Sequence, residues 1–237
     1  FVEFLKGFGD KPVYAISGNH ERSGTSTALD FLKKMDHKNW HVYTTPEDVI
    51  SEDGKVKMTF LPYMTPGTVG VETNEEATLK VVSDLKGGNV LFHHHAVVGS
   101  KLAGMTIQFL NEIVLPRQEL EDKYDWIIGG HIHQKQWLSE KTLVAGSVVT
   151  QEVGEHSKSV FILDTETKKV EEIPLPVRQL HKMVWEEPRT VIIPPNSIVK
   201  CYVTDRSTDI EEVRTYLEVF DASILIEQYP NERTKVH

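Results

Sequence analysis

A chain of 237 residues that is 39% hydrophobic and 26% charged carries enough apolar material for one substantial domain or one large and one small. Its 15 Gly and 11 Pro are spread along the chain, which excludes a disordered, collagenous or low-complexity scaffold. The balance of 26 basic against 35 acidic residues, net −9, argues against passive coating of nucleic acid, so any contact with a polyanion has to be local or metal-assisted.

In chain order, residues 2–8 read as a helix with Phe4, Leu5 and Phe8 on one side, followed by a Gly-Asp-Lys-Pro turn and an apolar strand, Val13 to Ile16. A second helix is expected over 27–35, where Leu29, Leu32 and Met35 recur at helical spacing and Ser26 or Thr27 supplies a cap. Residues 41–44 and 56–64 are β-branched and aromatic, with Asp53-Gly54 as a turn signal between them. Residues 74–86 form an amphipathic helix through Ala77, Leu79, Val81, Val82 and Leu85, ended by Gly87-Gly88 and followed by the short strand Val90-Leu91-Phe92. The same unit repeats as a helix over 115–123 and a strand at Trp126-Ile127-Ile128. This alternation predicts an α/β sheet with helices outside.

From 134 to 175 the pattern becomes strand after strand (134–138, 142–147, 159–163 and 170–175), read as an appended β-meander. Pro174, Pro176, Pro188, Pro194 and Pro195 mark the best candidate connector, with a boundary near residue 190. Beyond it, 198–203 and 223–229 as strands and 209–220 as a helix, with Ile210, Val213, Leu217 and Phe220 on one face, form the start of a βαβ unit. No apolar run approaches the roughly 18 to 20 residues of a membrane-spanning helix. The single cysteine, Cys201, cannot form an internal disulfide and is expected to be a buried free thiol, which favours a reducing cytoplasmic compartment.

Six of the 11 histidines fall in three short segments, each just after an apolar strand. They are Gly18-Asn19-His20-Glu21, His93-His94-His95 and Gly129-Gly130-His131-Ile132-His133. Strand ends in α/β sheets are where ligands bind, and imidazoles converging with an amide oxygen outline a metal site. Each segment alone has a bland reading: an ordinary Gly-Asn turn, an exposed loop, or a histidine satisfied by neighbours. Their joint occurrence at three strand ends is what carries the functional reading.

These segments resemble three of the five motifs of the calcineurin-like metallophosphoesterases: Gly18-Asn19-His20-Glu21, Leu91-Phe92-His93-His94 and Gly130-His131-Ile132-His133. Within that family, His94-His95-Ala96-Val97-Val98-Gly99, Ala145-Gly146-Ser147, Lys158-Ser159-Val160-Phe161 and the passage Ile173-Pro174-Leu175-Pro176-Val177-Arg178 are similar to the SbcD-type nucleases of double-strand-break processing. The resemblance implies an α/β/β/α sandwich with a small α/β capping domain, divided as residues 1–190 and 191–237. It implies two divalent metal ions, manganese by family with iron or zinc compatible. Asn19, His94 and His131 would hold one ion, His133 the second, and His20 would sit beside the scissile phosphate. In the triple histidine, His94 is preferred over His93 for its register with Val97 and Gly99, and His95 is expected to face DNA or solvent. DNA and an SbcC-type ABC ATPase are the implied partners, with a homodimer, no membrane, a cytoplasmic and nucleoid-associated setting, and no residue assigned to DNA contact.

The family's two earlier motifs, Asp-x-His and Gly-Asp-x-x-Asp, do not occur: Gly9-Asp10 lies too close to Gly18 to be the second of them. The expectation is that the phosphoesterase domain is N-terminally incomplete here and that the chain starts inside the helix after the second motif, leaving a poorly active fragment. A phosphoesterase of small nucleotides or phosphoproteins shares the three motifs without needing the βαβ piece. A non-catalytic fragment that docks a partner or DNA is the alternative the absent motifs favour.

Overall fold

A computed structural model describes residues 2–23, 26–35, 37–102, 105–106, 111–151, 155, 157–185 and 192–228. Its contacts divide the chain into two units: residues 1–147 with 161–172, and residues 148–160 with 173–237.

The first unit opens with α1 (Val2–Lys6), β1 (Val13–Ile16), the short ladder β2 (Arg22–Ser23) and β3 (Ser26–Thr27), α2 (Asp30–Lys34), β4 (Trp40–Tyr43), β5 (Glu47–Ile50) and β6 (Lys57–Leu61). It continues through α3 (Pro66–Val69), α4 (Asn74–Asp84), β7 (Gly88–His93), β8 (Ala96–Val97), β9 (Lys101–Leu102), β10 (Met105–Thr106), β11 (Val114–Leu115), α5 (Arg117–Lys123), β12 (Tyr124–Gly129), β13 (Gln136–Trp137) and β14 (Thr142–Val144). Six of these strands form one sheet in the order β13-β14-β12-β7-β6-β5. Its four central strands are parallel and its two edge strands antiparallel. The chain therefore has the mixed α/β character expected of it, around a multi-stranded sheet. The segments read as the first half of a meander instead join this sheet, because β14 continues the parallel ladder on β12 and β13 folds back against it.

One sheet face is closed by helices. Leu61, Leu91 and Ile127 pack with Ala77, Val81 and Val82 of α4 and Leu120 of α5, all buried. At roughly 25 cal/mol per Å² of apolar surface removed from water, burial of this layer stabilises the unit. The α4 start is a capping box, Thr73 accepting from Glu76 N–H and Glu76 reaching back to Thr73 N–H. At its other end, Lys123 Nζ donates to the carbonyls of Val82 (2.6 Å) and Leu85 (3.0 Å), satisfying groups a helix terminus leaves open. Leu79, counted with the apolar face in the sequence, is 72% exposed, since 77, 81 and 82 already fill the stripe.

The opposite face carries aromatics. Phe60 stacks on Tyr43 (ring centroids 4.5 Å), on Tyr14 (5.2 Å) and on Phe92 (5.3 Å), joining the parallel pair β1-β4 to the central strands. Two local expectations shift here. The helix expected from Thr27 starts at Asp30, because Thr27 Oγ1 accepts from Leu29 N–H and Thr27 N–H donates to Asp30 in a preceding turn. The segment 47–50 is a strand, paired antiparallel to β6 through the Asp53-Gly54 turn.

The chain then passes through β15 (Lys158–Asp164) and β16 (Lys169–Leu175), which pair with each other. The second unit contains β17 (Leu180–Val184), β18 (Ser197–Val203), α6 (Ile210–Leu217) and β19 (Ala222–Gln228), with the three strands in the parallel order β17-β18-β19. Val199, Cys201, Val203, Val213 and Leu217 are its buried core. Cys201 is a buried free thiol. The βαβ unit is thus present. The proline-rich stretch 174–196 is not simply a connector: β17 lies inside it and pairs with β18, and residue 190 falls within this unit and outside the described residues. No helix among the described residues is long and apolar enough to cross a membrane.

Candidate metal centre

The three histidine segments leave the carboxyl ends of β1, β7 and β12. Backbone hydrogen bonds continue beyond the strands and hold these ends in line: Ser17 N–H to Tyr43 O, Tyr63 N–H to Ser17 O, His94 N–H to Leu61 O, Gly130 N–H to His93 O and Ala145 N–H to Gly129 O. Parallel pairing brings all the carboxyl ends to one edge, so residues distant in sequence meet there.

His94 Nε2 lies 3.1 Å from Asn19 Oδ1, and the His94 and His131 rings stand 5.4 Å apart at 62°. His20 and His133 are close enough that their charges oppose protonation of His94. The structure therefore brings Asn19, His20, His94, His131 and His133 together, with His20 exposed and the other four partly covered. Burial, followed by the charges of His131, His20 and His133, holds the His94 imidazole down to about 4. The ring is neutral at physiological pH and keeps a lone pair, the form in which histidine binds a metal.

The other two histidines of the triplet do different work. His93 and His95 are each 1% exposed, and burial pushes both down to about 3. His95 does not face solvent: its ring stacks on Tyr63 at 5.3 Å, and its Nε2 sits 3.1 Å from Pro62 O. Alternation at the end of a strand places 93 and 95 inward and 94 between them at the site.

Glycines make the packing feasible. A Cβ on Gly129 would lie 2.5 Å from His93 Cε1, and one on Gly18 would lie 2.7 Å from Glu21 Oε2 and 2.8 Å from the His94 ring. Gly146, at φ 78°, passes under the His133 loop, where a Cβ would meet His133 O and Lys135 N at 2.8 Å. His131 itself is in the left-handed region at φ 72°, a conformation unusual for a residue with a side chain and found where the surroundings over-determine it.

Three further contributors had been given no role from the sequence. Glu21 accepts from Gly18 N–H at 2.8 Å and fixes the turn that presents Asn19. Tyr63 lies against the rings of His94, His95 and His131. Glu112 contacts His131 Nε2 at 2.9 Å. The strand-end rule would have found Tyr63, two residues past β6. Glu112 has no local pattern around it.

The donors suit one divalent ion. Two ligands bound at about 2.1 Å and at right angles are about 3 Å apart, which is the Asn19 Oδ1 to His94 Nε2 spacing. His131 adds a ring whose Nδ1 is buried with no partner among the described residues. For a second ion the same residue set offers His133. Among the described residues no three His, Cys, Asp or Glu side chains cluster at metal distance, and the Asn19 oxygen is a further donor beside His94.

The sequence model of the calcineurin-like phosphoesterases matches residues 1–135, more than half of the chain, and contains all three segments. The chain belongs to that family of hydrolases, whose members use divalent metal ions. Among individual proteins, it is 24% identical over 182 residues to the candidate phosphoesterase 078R of Invertebrate iridescent virus 3. The match covers 71% of this chain and 47% of the viral protein, so the chain spans about half the length of that relative.

Proposed function

We propose that the chain carries the metal site of a phosphodiesterase, a nuclease of SbcD type that cleaves DNA at ends or hairpins during double-strand-break processing. The observation that carries this reading is the Asn19–His94 pair at 3.1 Å, set against His131 with His20 and His133 beside it. In this reading Asn19, His94 and His131 hold one ion and His133 a second, with manganese favoured and iron or zinc compatible. The bound metal supplies an acidified water and neutralises phosphate charge. His20, exposed at the mouth of the site, donates a proton to the leaving oxygen or stabilises its charge. In this reading the parallel βαβ unit at 197–228 would be the capping domain of a nuclease acting on a polymeric substrate. An SbcC-type ATPase partner, a homodimer and a cytoplasmic setting belong to the same proposal.

The absence of a His, Cys, Asp and Glu cluster among the described residues favours a second reading, a fragment that docks DNA or a partner without hydrolysing it. The printed description of the viral relative, a phosphoesterase, is equally compatible with small phosphorylated substrates. The deciding experiment incubates the protein with Mn²⁺ and linear duplex DNA, bis-p-nitrophenyl phosphate or p-nitrophenyl phosphate. Manganese-dependent DNA cleavage that falls about 100-fold or more in His20→Ala supports the nuclease. Cleavage that persists in His20→Ala or under chelation overturns it, and turnover of the monoester alone selects the small-substrate enzyme.

A further inference from the structure

We infer that Glu112 is a positioning residue: its carboxylate holds the His131 ring with the proton on Nε2 and leaves Nδ1 as the ring's donor atom for the metal. The inference rests on the reading of His131 as a ligand given above.

Both Glu112 oxygens engage one ring nitrogen, with Oε2 at 2.9 Å and Oε1 at 3.0 Å from His131 Nε2. The two side chains are only 13% and 12% exposed, so water competes little for the contact. An ionised carboxylate only accepts hydrogen bonds, so Nε2 must bear the proton. In a neutral imidazole the proton is then absent from Nδ1, which becomes a lone pair. That Nδ1 is buried and has no partner among the described residues. A buried lone pair without a donor is costly, and a cation is the partner that would remove the cost. The ring packs against His94, whose own Nε2 faces the Asn19 oxygen. Hydrogen bonding of a ligand imidazole's far nitrogen to a carboxylate fixes its tautomer and orientation and raises its basicity.

Topology explains how a residue outside every motif reaches the site. Glu112 directly precedes buried Ile113 and β11, and β11 pairs in parallel with β8, the strand that follows the triple histidine. Ile113, Leu115, Ala96 and Val97 are each at most 1% exposed, so the core clamps the backbone that carries Glu112. Both Glu112 oxygens lie within hydrogen-bond distance of His131 Nε2, as a positioning role requires.

The test combines Mn²⁺ titration calorimetry with ring ¹⁵N NMR of His131 in the metal-free full chain, for wild type, Glu112→Ala, Glu112→Gln and His131→Ala. Wild type is expected to show the Nε2–H tautomer. Glu112→Ala should mix the tautomers and weaken Mn²⁺ binding about 10- to 100-fold. Glu112→Gln keeps an amide oxygen as acceptor and should retain the tautomer and recover most of the affinity. Unchanged tautomer and affinity in Glu112→Ala would overturn the proposal. So would a Glu112→Gln loss as large as that of His131→Ala with the tautomer intact, which would make Glu112 a ligand. If wild type and His131→Ala bind Mn²⁺ equally poorly, the ligand reading of His131 fails, and the metal-free NMR still decides whether Glu112 sets the ring. Should Glu112→Ala not fold, wild type against Glu112→Gln reads the same tautomer.

Discussion

Both units are built on a parallel sheet, yet among the described residues only the first ends its parallel strands in histidines. In the first unit β1, β7 and β12 run out into Gly-Asn-His, the triple histidine and Gly-Gly-His-Ile-His. In the second, β17 ends at Val184-Trp185 and β18 at Val203-Thr204-Asp205, with Trp185 and Val203 buried. Parallel pairing gathers strand ends in either case. At that edge Gly18 and Gly129 let the rings of His94 and His93 approach backbone to distances a Cβ would forbid.

That contrast can be broken from either side. The largest expected effect is in the second unit: Leu217→Ala opens its fully buried core and should cost about 2–5 kcal/mol by denaturant unfolding. The ring resonances of His94 and His131 should stay in place, and movement of either would show that the contrast between the units is false. Gly129→Ala is the converse. Its Cβ meets the His93 ring at 2.5 Å, and with that ring buried the strain should cost about 1–3 kcal/mol and displace the neighbouring histidine resonances. A native-like spectrum would mean glycine is not required there. Thr73→Ala, which removes the α4 capping box, should lower stability by about 1 kcal/mol and leave those resonances alone.

The last test is alkaline. Burial first, then Glu47 and Tyr14, push the Tyr43 phenol from 10.0 up to about 12. Between those values the unfolded chain has released this proton and the folded chain has kept it, so folding stability should fall as pH rises from 10 to 12. Tyr43→Phe should remove that part of the loss in urea unfolding measured across the window, and an identical pH slope would show that Tyr43 is not the group responsible.

Much of the first unit was legible because its signals are local. The strands at 13–16 and 88–93 and the helix at 74–84 follow from apolar runs, periodicity and a Thr-x-x-Glu start. The expected meander was misread because strands of two and three residues carry no register: pairing of β14 with β12 is decided by what lies alongside, not by its own three residues. The strand at 180–184 was hidden by flanking prolines, which break helices but leave an edge strand of a parallel sheet intact. His95 was assigned outward because adjacency in sequence says nothing about which of three consecutive rings is enclosed, and Tyr63 with Pro62 enclose it.

By itself the sequence determined the family and the residue types available for chemistry: an asparagine and histidines, in segments that each follow an apolar strand. Only the tertiary structure decided which atoms meet. The 3.1 Å approach of Asn19 to His94 spans 75 positions of chain, and Glu112 reaches His131 because β11 pairs with β8. Periodicity and propensity act over a few residues, whereas a site depends on distances between elements, and those are set by strand order and packing.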